Sequence, residues 1–200
     1  MPEQRYSIGQ DLKEAAVMVE VLVPYVYEDT LYRRIGGGRI FSRTNMPYMT
    51  LGAVLLRLRR LRALDEHLNR DQKQQLRLLE KENQQARREW RRHYEDKLVQ
   101  EAGSRLKMMY AFFAECRESP RLCEGAYMPE ALRRTIVQEN VIALDEMGAF
   151  SQELDRQIEH VNTGLRRYVR PSDFIWSEIL QPAYPEEVFW WLYSKPQSPD

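Results

Sequence analysis

Cysteine is nearly absent from this 200-residue chain, with only two residues, Cys116 and Cys123. That excludes the disulfide framework of small secreted domains. Glycine is scarce at nine, three of them clustered at Gly36, Gly37 and Gly38. Long apolar runs are missing as well. The best stretch, Ala15 to Tyr27, is interrupted by Glu20 and Pro24 and falls short of the ~20 residues a membrane-spanning helix needs. The N-terminus lacks a basic segment followed by a long apolar one, so no secretory leader is expected. Neither sign of charge is in excess: 30 Lys and Arg balance 30 Asp and Glu. With 43% hydrophobic and 10% aromatic residues there is material for a core. The expectation is a cytoplasmic, all-α protein that does not enter a membrane.

Several chemistries lack their residues. The three histidines are His67, His93 and His160, and the residues three before them are Leu64, Trp90 and Gln157. No Glu-x-x-His pair therefore exists to build a carboxylate metal site on a bundle. Cys116 and Cys123 have no nearby histidine, so zinc is not expected, and Cys116 fits a buried free thiol better than a disulfide. The glycines at 36–38 match neither phosphate-loop spacing, and no nucleophile elbow is present. Acid pairs such as Asp65/Glu66, Asp145/Glu146 and Glu186/Glu187 are adjacent in sequence and point in different helical directions. No cofactor, metal or catalytic residue is assigned, and the balance leans away from an enzyme.

What is present is helical periodicity punctuated by proline. A helix over 11–35 places Ala15, Val19, Leu22, Val26 and Leu31 near one face, with Pro24 as a kink. Residues 36–49 read as a glycine-rich linker. A long helical segment over 50–118 begins at a capping Thr50. It carries Leu51, Leu55, Leu58, Leu61, Leu64 and Leu68 at three- and four-residue spacing. A break is expected at 69–71, where Asp71 and Gln74 resemble a capping box and Asn69 a terminator; the rival is one helix from Thr50 to Glu118. Beyond it, Leu76, Leu79, Asn83, Ala86, Trp90, Tyr94, Leu98, Ala102, Leu106, Met109, Phe113 and Cys116 form a stripe with one slip near Trp90. Ser119-Pro120 ends the segment, 121–128 is a connection, and a helix over 129–168 returns antiparallel. Residues 172–193 read as short aromatic-rich helices, followed by a frayed end. The expected fold is a single domain of long antiparallel helical hairpins forming a bundle. The 11–35 helix covers 51–68, and 129–168 covers 71–118.

Two surfaces are candidates for function. Arg57, Arg59, Arg60 and Arg62 fall within six residues without an acid, and the basic pattern continues at roughly helical spacing through Arg70, Lys73, Arg77 and Lys81 to Arg88 and Arg91. Residues 51–92 carry twelve basic and six acidic groups. Such a stripe could track nucleic-acid phosphates; the plainer interpretation is a solvated face paired with the acidic C-terminal half. The other is the aromatic tail. Trp176, Phe189, Trp190, Trp191 and Tyr193 either cap the core or meet a partner, since consecutive rings cannot share one helical face. The function expected first is a non-enzymatic helical interaction or scaffold protein. It would self-associate as a homodimer through the 71–118/129–168 hairpin, or bind another protein. The alternative is a nucleic-acid-associated accessory protein using the 57–92 stripe.

Overall fold

The structure, a computed structural model, describes residues 6–35, 46–118 and 120–197, with the side chains of 117–124 also outside the description. The linker expected over 36–49 therefore lies mostly outside the described residues. The fold is predominantly all-α. Helix α1 spans Ile8–Glu20, capped by Ser7 accepting from the Gln10 N–H at 3.3 Å. Helix α2, Leu22–Tyr27, follows at once, with Pro24 in its first turn, where a missing N–H is harmless. The helix expected over 11–35 is thus two pieces and stops at Tyr27. The chain beyond returns through an isolated antiparallel bridge between Arg33 and Met49.

Helix α3 spans Leu51–Ala63, and Thr50 caps it from the side-chain oxygen to the Ala53 N–H at 3.1 Å. A short 3-10 turn at Asp65–His67 ends it, and α4, Arg70–Glu89, begins anew. The expected break is real, but its cap is Asn69 rather than Asp71. Asn69 and Gln72 exchange side-chain and backbone hydrogen bonds at 2.9 and 3.0 Å. The slip near Trp90 is a second interruption. Trp90 leaves helical geometry at φ −115°, ψ 34°, and α5 runs from Arg91 to Glu118.

Helix α6 spans Pro120–Glu146, with Pro129 inside it, so 121–128 is helical rather than a connection. The helix expected over 129–168 breaks after Glu146. Gly148 sits at φ +67°, a left-handed position that suits glycine, and the Ala149 N–H reaches back to the Leu144 carbonyl at 2.8 Å. Ser151 then caps α7, Gln152–Arg166. The tail also differs from expectation. Strands β1, Val169–Pro171, and β2, Ser194–Pro196, pair antiparallel with Arg170 opposite Lys195. Between them lie 3-10 turns at Glu178–Ala183 and Trp190–Tyr193 and a one-turn helix α8, Glu186–Phe189.

Helices α5 and α6 form the main antiparallel hairpin, and α7 packs on the C-terminal half of α5. There Gly164 lets the α7 backbone approach the Phe113 ring. The central element is α3, which contacts α1, α4, α5, α6 and the 178–183 turn. Its N-terminus meets a buried carboxylate: Glu101, fully buried, accepts the Gly52 N–H at 2.8 Å and the Arg105 Nε–H at 2.8 Å. A negative charge there answers unpaired helix N–H groups. Cys116 is buried and disulfide-bonded, not the free thiol expected. No helix among the described residues is long and apolar enough to cross a membrane.

Close approach of α3 to α6 depends on Gly52. A Cβ there would lie 2.5 Å from both Asn140 Oδ1 and Ile136 Cγ2. Gly52→Ala should therefore destabilise the protein by about 1–3 kcal/mol, the usual range for overpacking, read from urea unfolding monitored by circular dichroism. Adding Asn140→Ala should recover part of the loss. An unchanged midpoint in Gly52→Ala would show that the two helices are not in this contact.

Candidate functional site

The four arginines of α3 were the strongest charge signal in the sequence, and the structure sends each to a different place. Arg57 is buried at 8% exposure. Its Nε–H donates to Glu14 Oε2 of α1 at 2.8 Å, a second guanidinium N–H reaches the same oxygen, and Nη1 donates to the Ala53 carbonyl at 2.7 Å. Arg59 donates to Glu139 of α6 at 2.5 Å and lies over the Phe189 ring at 5.4 Å. Arg60 donates to the Tyr184 hydroxyl at 2.9 Å, approaches Asp11 at 3.7 Å and covers the Trp176 ring at 4.9 Å. Arg62 reaches Glu80 of α4 at 2.8 Å from an exposed position. Helical spacing fans these side chains around α3, and each finds an acid or aromatic on a neighbouring element.

The surrounding groups report how dry this hub is. Burial pushes the Asp11 carboxyl up, and the cations of Arg60 and Arg57 oppose the shift. Burial likewise pushes Glu139 up against the pull of Arg59, and raises the Tyr184 phenol. Beside the hub, α3, α4 and α6 enclose a cleft of about 350 Å³. Three ion pairs cross it, one for each helix pair. Arg59–Glu139 joins α3 to α6, Arg62–Glu80 joins α3 to α4, and Arg87–Glu146, at 2.7 Å, joins α4 to α6. Leu55, Leu58 and Ile142 contribute apolar lining. The cleft is an electrostatic clasp whose charges satisfy one another.

The remaining sequence candidates are placed as follows. Arg88 is exposed and makes one 3.3 Å bond to the Gln84 carbonyl. Arg91 pairs with Glu95 at 2.8 Å and donates to the Met147 carbonyl. The six arginines do not form one outward stripe, because Arg57, Arg59 and Arg60 face other elements. Among the tail aromatics, Phe189 and Trp191 are buried, and Trp176, Trp190 and Tyr193 are partly so. The Trp191 indole N–H donates to the Thr135 hydroxyl at 2.9 Å, and the Tyr127 hydroxyl donates to the Trp191 carbonyl at 2.6 Å. Edge-to-face contacts link Trp176 to Tyr184, Tyr184 to Phe189 and Phe189 to Trp191 at 5.0–5.6 Å. The tail closes the bundle from within.

Sequence inspection missed the partners. Asp11 and Glu14 are buried members of α1's inner face, spaced i, i+3 beside Leu12 and Ala15. That juxtaposition of acids with an apolar stripe was the available signal. It also missed an exposed aromatic corner. Tyr27, 47% exposed at the end of α2, meets Trp90 at 4.8 Å and His93 at 4.7 Å. Among the described residues no group of three or more His, Cys, Asp or Glu side chains is placed to hold a metal ion. Comparison with family models, curated proteins and solved structures finds no match.

Two charged groups, Arg134 and Glu130, are buried beside the tail. Arg134 stacks on Trp191 at 4.0 Å and donates to two neutral amides, Asn162 at 2.9 Å and Gln138 at 3.1 Å. Burial pulls its guanidinium down to about 9, opposed by Glu159. One turn earlier, Glu130 is buried with Oε2 unpartnered, and burial pushes its carboxyl up despite Arg133. A raised folded value means that Glu130 charges at a stability cost as pH rises from the ordinary carboxyl range. Glu130→Met should therefore gain about 1–2 kcal/mol at pH 7 and show no such gain at pH 4, where the wild-type carboxyl is already neutral. Urea midpoints at the two pH values decide it, and an equal effect at both would remove the buried-charge explanation.

Proposed function

We propose that this chain is a non-enzymatic helical interaction protein that associates with a second copy of itself through the corner where α2 meets the α4–α5 bend. The observation that carries it is the exposed Val23, Tyr27 and His93 beside the half-buried Trp90. Val23 lies one turn before Tyr27 and is 40% exposed, and the exposed Tyr27 ring meets the half-buried Trp90 indole edge-to-face and the exposed His93 imidazole at a tilt. Trp and Tyr are the side chains that anchor protein interfaces. A second copy is the occupant favoured by charge. The chain has no net charge, so two copies do not repel, and the exposed Glu89, Arg92 and Asp96 near the corner offer both signs for pairing across a two-fold axis.

The contact surface expected from sequence was the 71–118/129–168 hairpin. Its apolar stripe, from Leu76 through Leu98 to Phe113, is covered within the chain, and the exposed corner takes its place in the proposal. The tail rings Phe189 and Trp191 are likewise occupied internally.

Light scattering after size exclusion tests this. Wild type should elute with a dimer's mass at tens of micromolar, and Tyr27→Glu should shift it to a monomer while leaving helical content unchanged. A monomeric wild type, or a dimer indifferent to Tyr27→Glu, would refute the corner as the interface.

A further inference from the structure

Helix α4 carries a charged face that neither the arginine fan nor the aromatic corner uses. Arg70, Arg77, Lys81 and Arg88 recur at spacings of seven, four and seven residues. At 3.6 residues per turn and 1.5 Å per residue, all four fall within about 20° of one line that runs about 27 Å. The line lies opposite the buried Leu79, and all four side chains are exposed. Among the described residues none of the four is held in an ion pair; Arg88 has only its bond to the Gln84 carbonyl. The neighbouring positions are Gln74, Gln84, Gln85 and Lys73, and the nearest carboxylate toward Lys73, Glu80, is held by Arg62.

We infer that this face binds the sugar-phosphate backbone of double-stranded nucleic acid without regard to sequence. It narrows the stripe expected from sequence: Arg70, Arg77, Lys81 and Arg88 remain on one exposed line, whereas Arg57, Arg59 and Arg60 serve the hub. The chemistry of the line selects the partner. It has no aromatic residue, and its lone apolar neighbour, Leu78, sits well off the axis, so it lacks both an interface anchor and the apolar face that a membrane-surface helix needs. Arginine, lysine and glutamine are the side chains that bond phosphate oxygens. A straight, rigid row of cations matches a duplex, which presents one charge per ~1.7 Å of axis, better than a flexible strand that must be ordered on binding. Because the chain is neutral overall, attraction has to come from a local cluster of cations such as this one, not from the charge of the whole chain.

The test is fluorescence anisotropy with labelled duplex DNA of about 20 base pairs, the matching duplex RNA and the single strand, titrated with full-length protein at about 50 to 200 mM salt. Wild type should bind duplex with a log–log salt slope of about −3 to −4, from four neutralised phosphates at about 0.9 each. Arg77→Glu/Lys81→Glu should bind at least about tenfold more weakly at the lowest salt and lose about two from the slope. Arg77→Gln/Lys81→Gln serves if the reversed variant loses helicity. Arg156→Glu, an exposed charge change on α7, should bind as wild type, and so should Tyr27→Glu, which separates this inference from the dimer proposal. Tighter binding to DNA or to RNA duplex names the source of the shared backbone. No duplex binding by wild type, tighter binding to the single strand, an unaltered Arg77→Glu/Lys81→Glu variant, or equal loss in Arg156→Glu would each overturn it.

Discussion

The fan of guanidinium groups on α3 ties this fold together. A thirteen-residue helix holds α1 through Arg57 and Glu14, α6 through Arg59 and Glu139, the tail through Arg60 and Tyr184, and α4 through Arg62 and Glu80. Arginine suits this work because a planar fork donates several bonds at once and its long stem packs against apolar neighbours. Buried ion pairs add little net stability compared with hydrophobic replacements, yet breaking one partner is expensive. Their contribution here is to fix which element lies where, since a register shift of α3 would strand four cations and their acids together.

The same logic extends to the helix end. Thr50 and Glu101 satisfy α3's first N–H groups from opposite sides, and Gly52 permits α6 to close on the backbone. The three-way clasp of Arg59, Arg62 and Arg87 then joins α3, α4 and α6 around one cleft. Against the same hub the tail contributes rings, on which Arg59 and Arg60 lie. Trp191 is fully buried and anchored to Thr135, which explains why so many aromatics are packed into the last part of the chain.

Much of this architecture was legible from local signals. The leucine spacing of 51–68 and the stripe through Leu76, Leu98 and Phe113 marked buried faces. The polar cluster at 69–71 marked a break, whereas the slip near Trp90 read as part of one continuous stripe and is where α4 gives way to α5. What misled was reliance on proline as punctuation: Pro129 lies inside α6, while Gly148 and Ser151, a left-handed glycine and an N-cap, make the actual break. The arginine cluster misled for a different reason. Its partners, Glu14, Glu139 and Tyr184, are 43, 80 and 124 residues away from the arginines they bind. Local composition shows a surplus of positive charge but not which distant acid answers it. The exposed row on α4 was already part of the sequence stripe, and burial separates it from the inward arginines of α3.

The claim that the fan organises the fold is tested most directly by a double-mutant cycle on Arg57 and Glu14, with Arg57→Met, Glu14→Met and the pair compared by urea unfolding. The account predicts that each single change is strongly destabilising, because it leaves the opposite charge buried, and that the pair is coupled by about 2 kcal/mol or more. A coupling energy below about 0.5 kcal/mol, with single changes no worse than those at an exposed site, would contradict it.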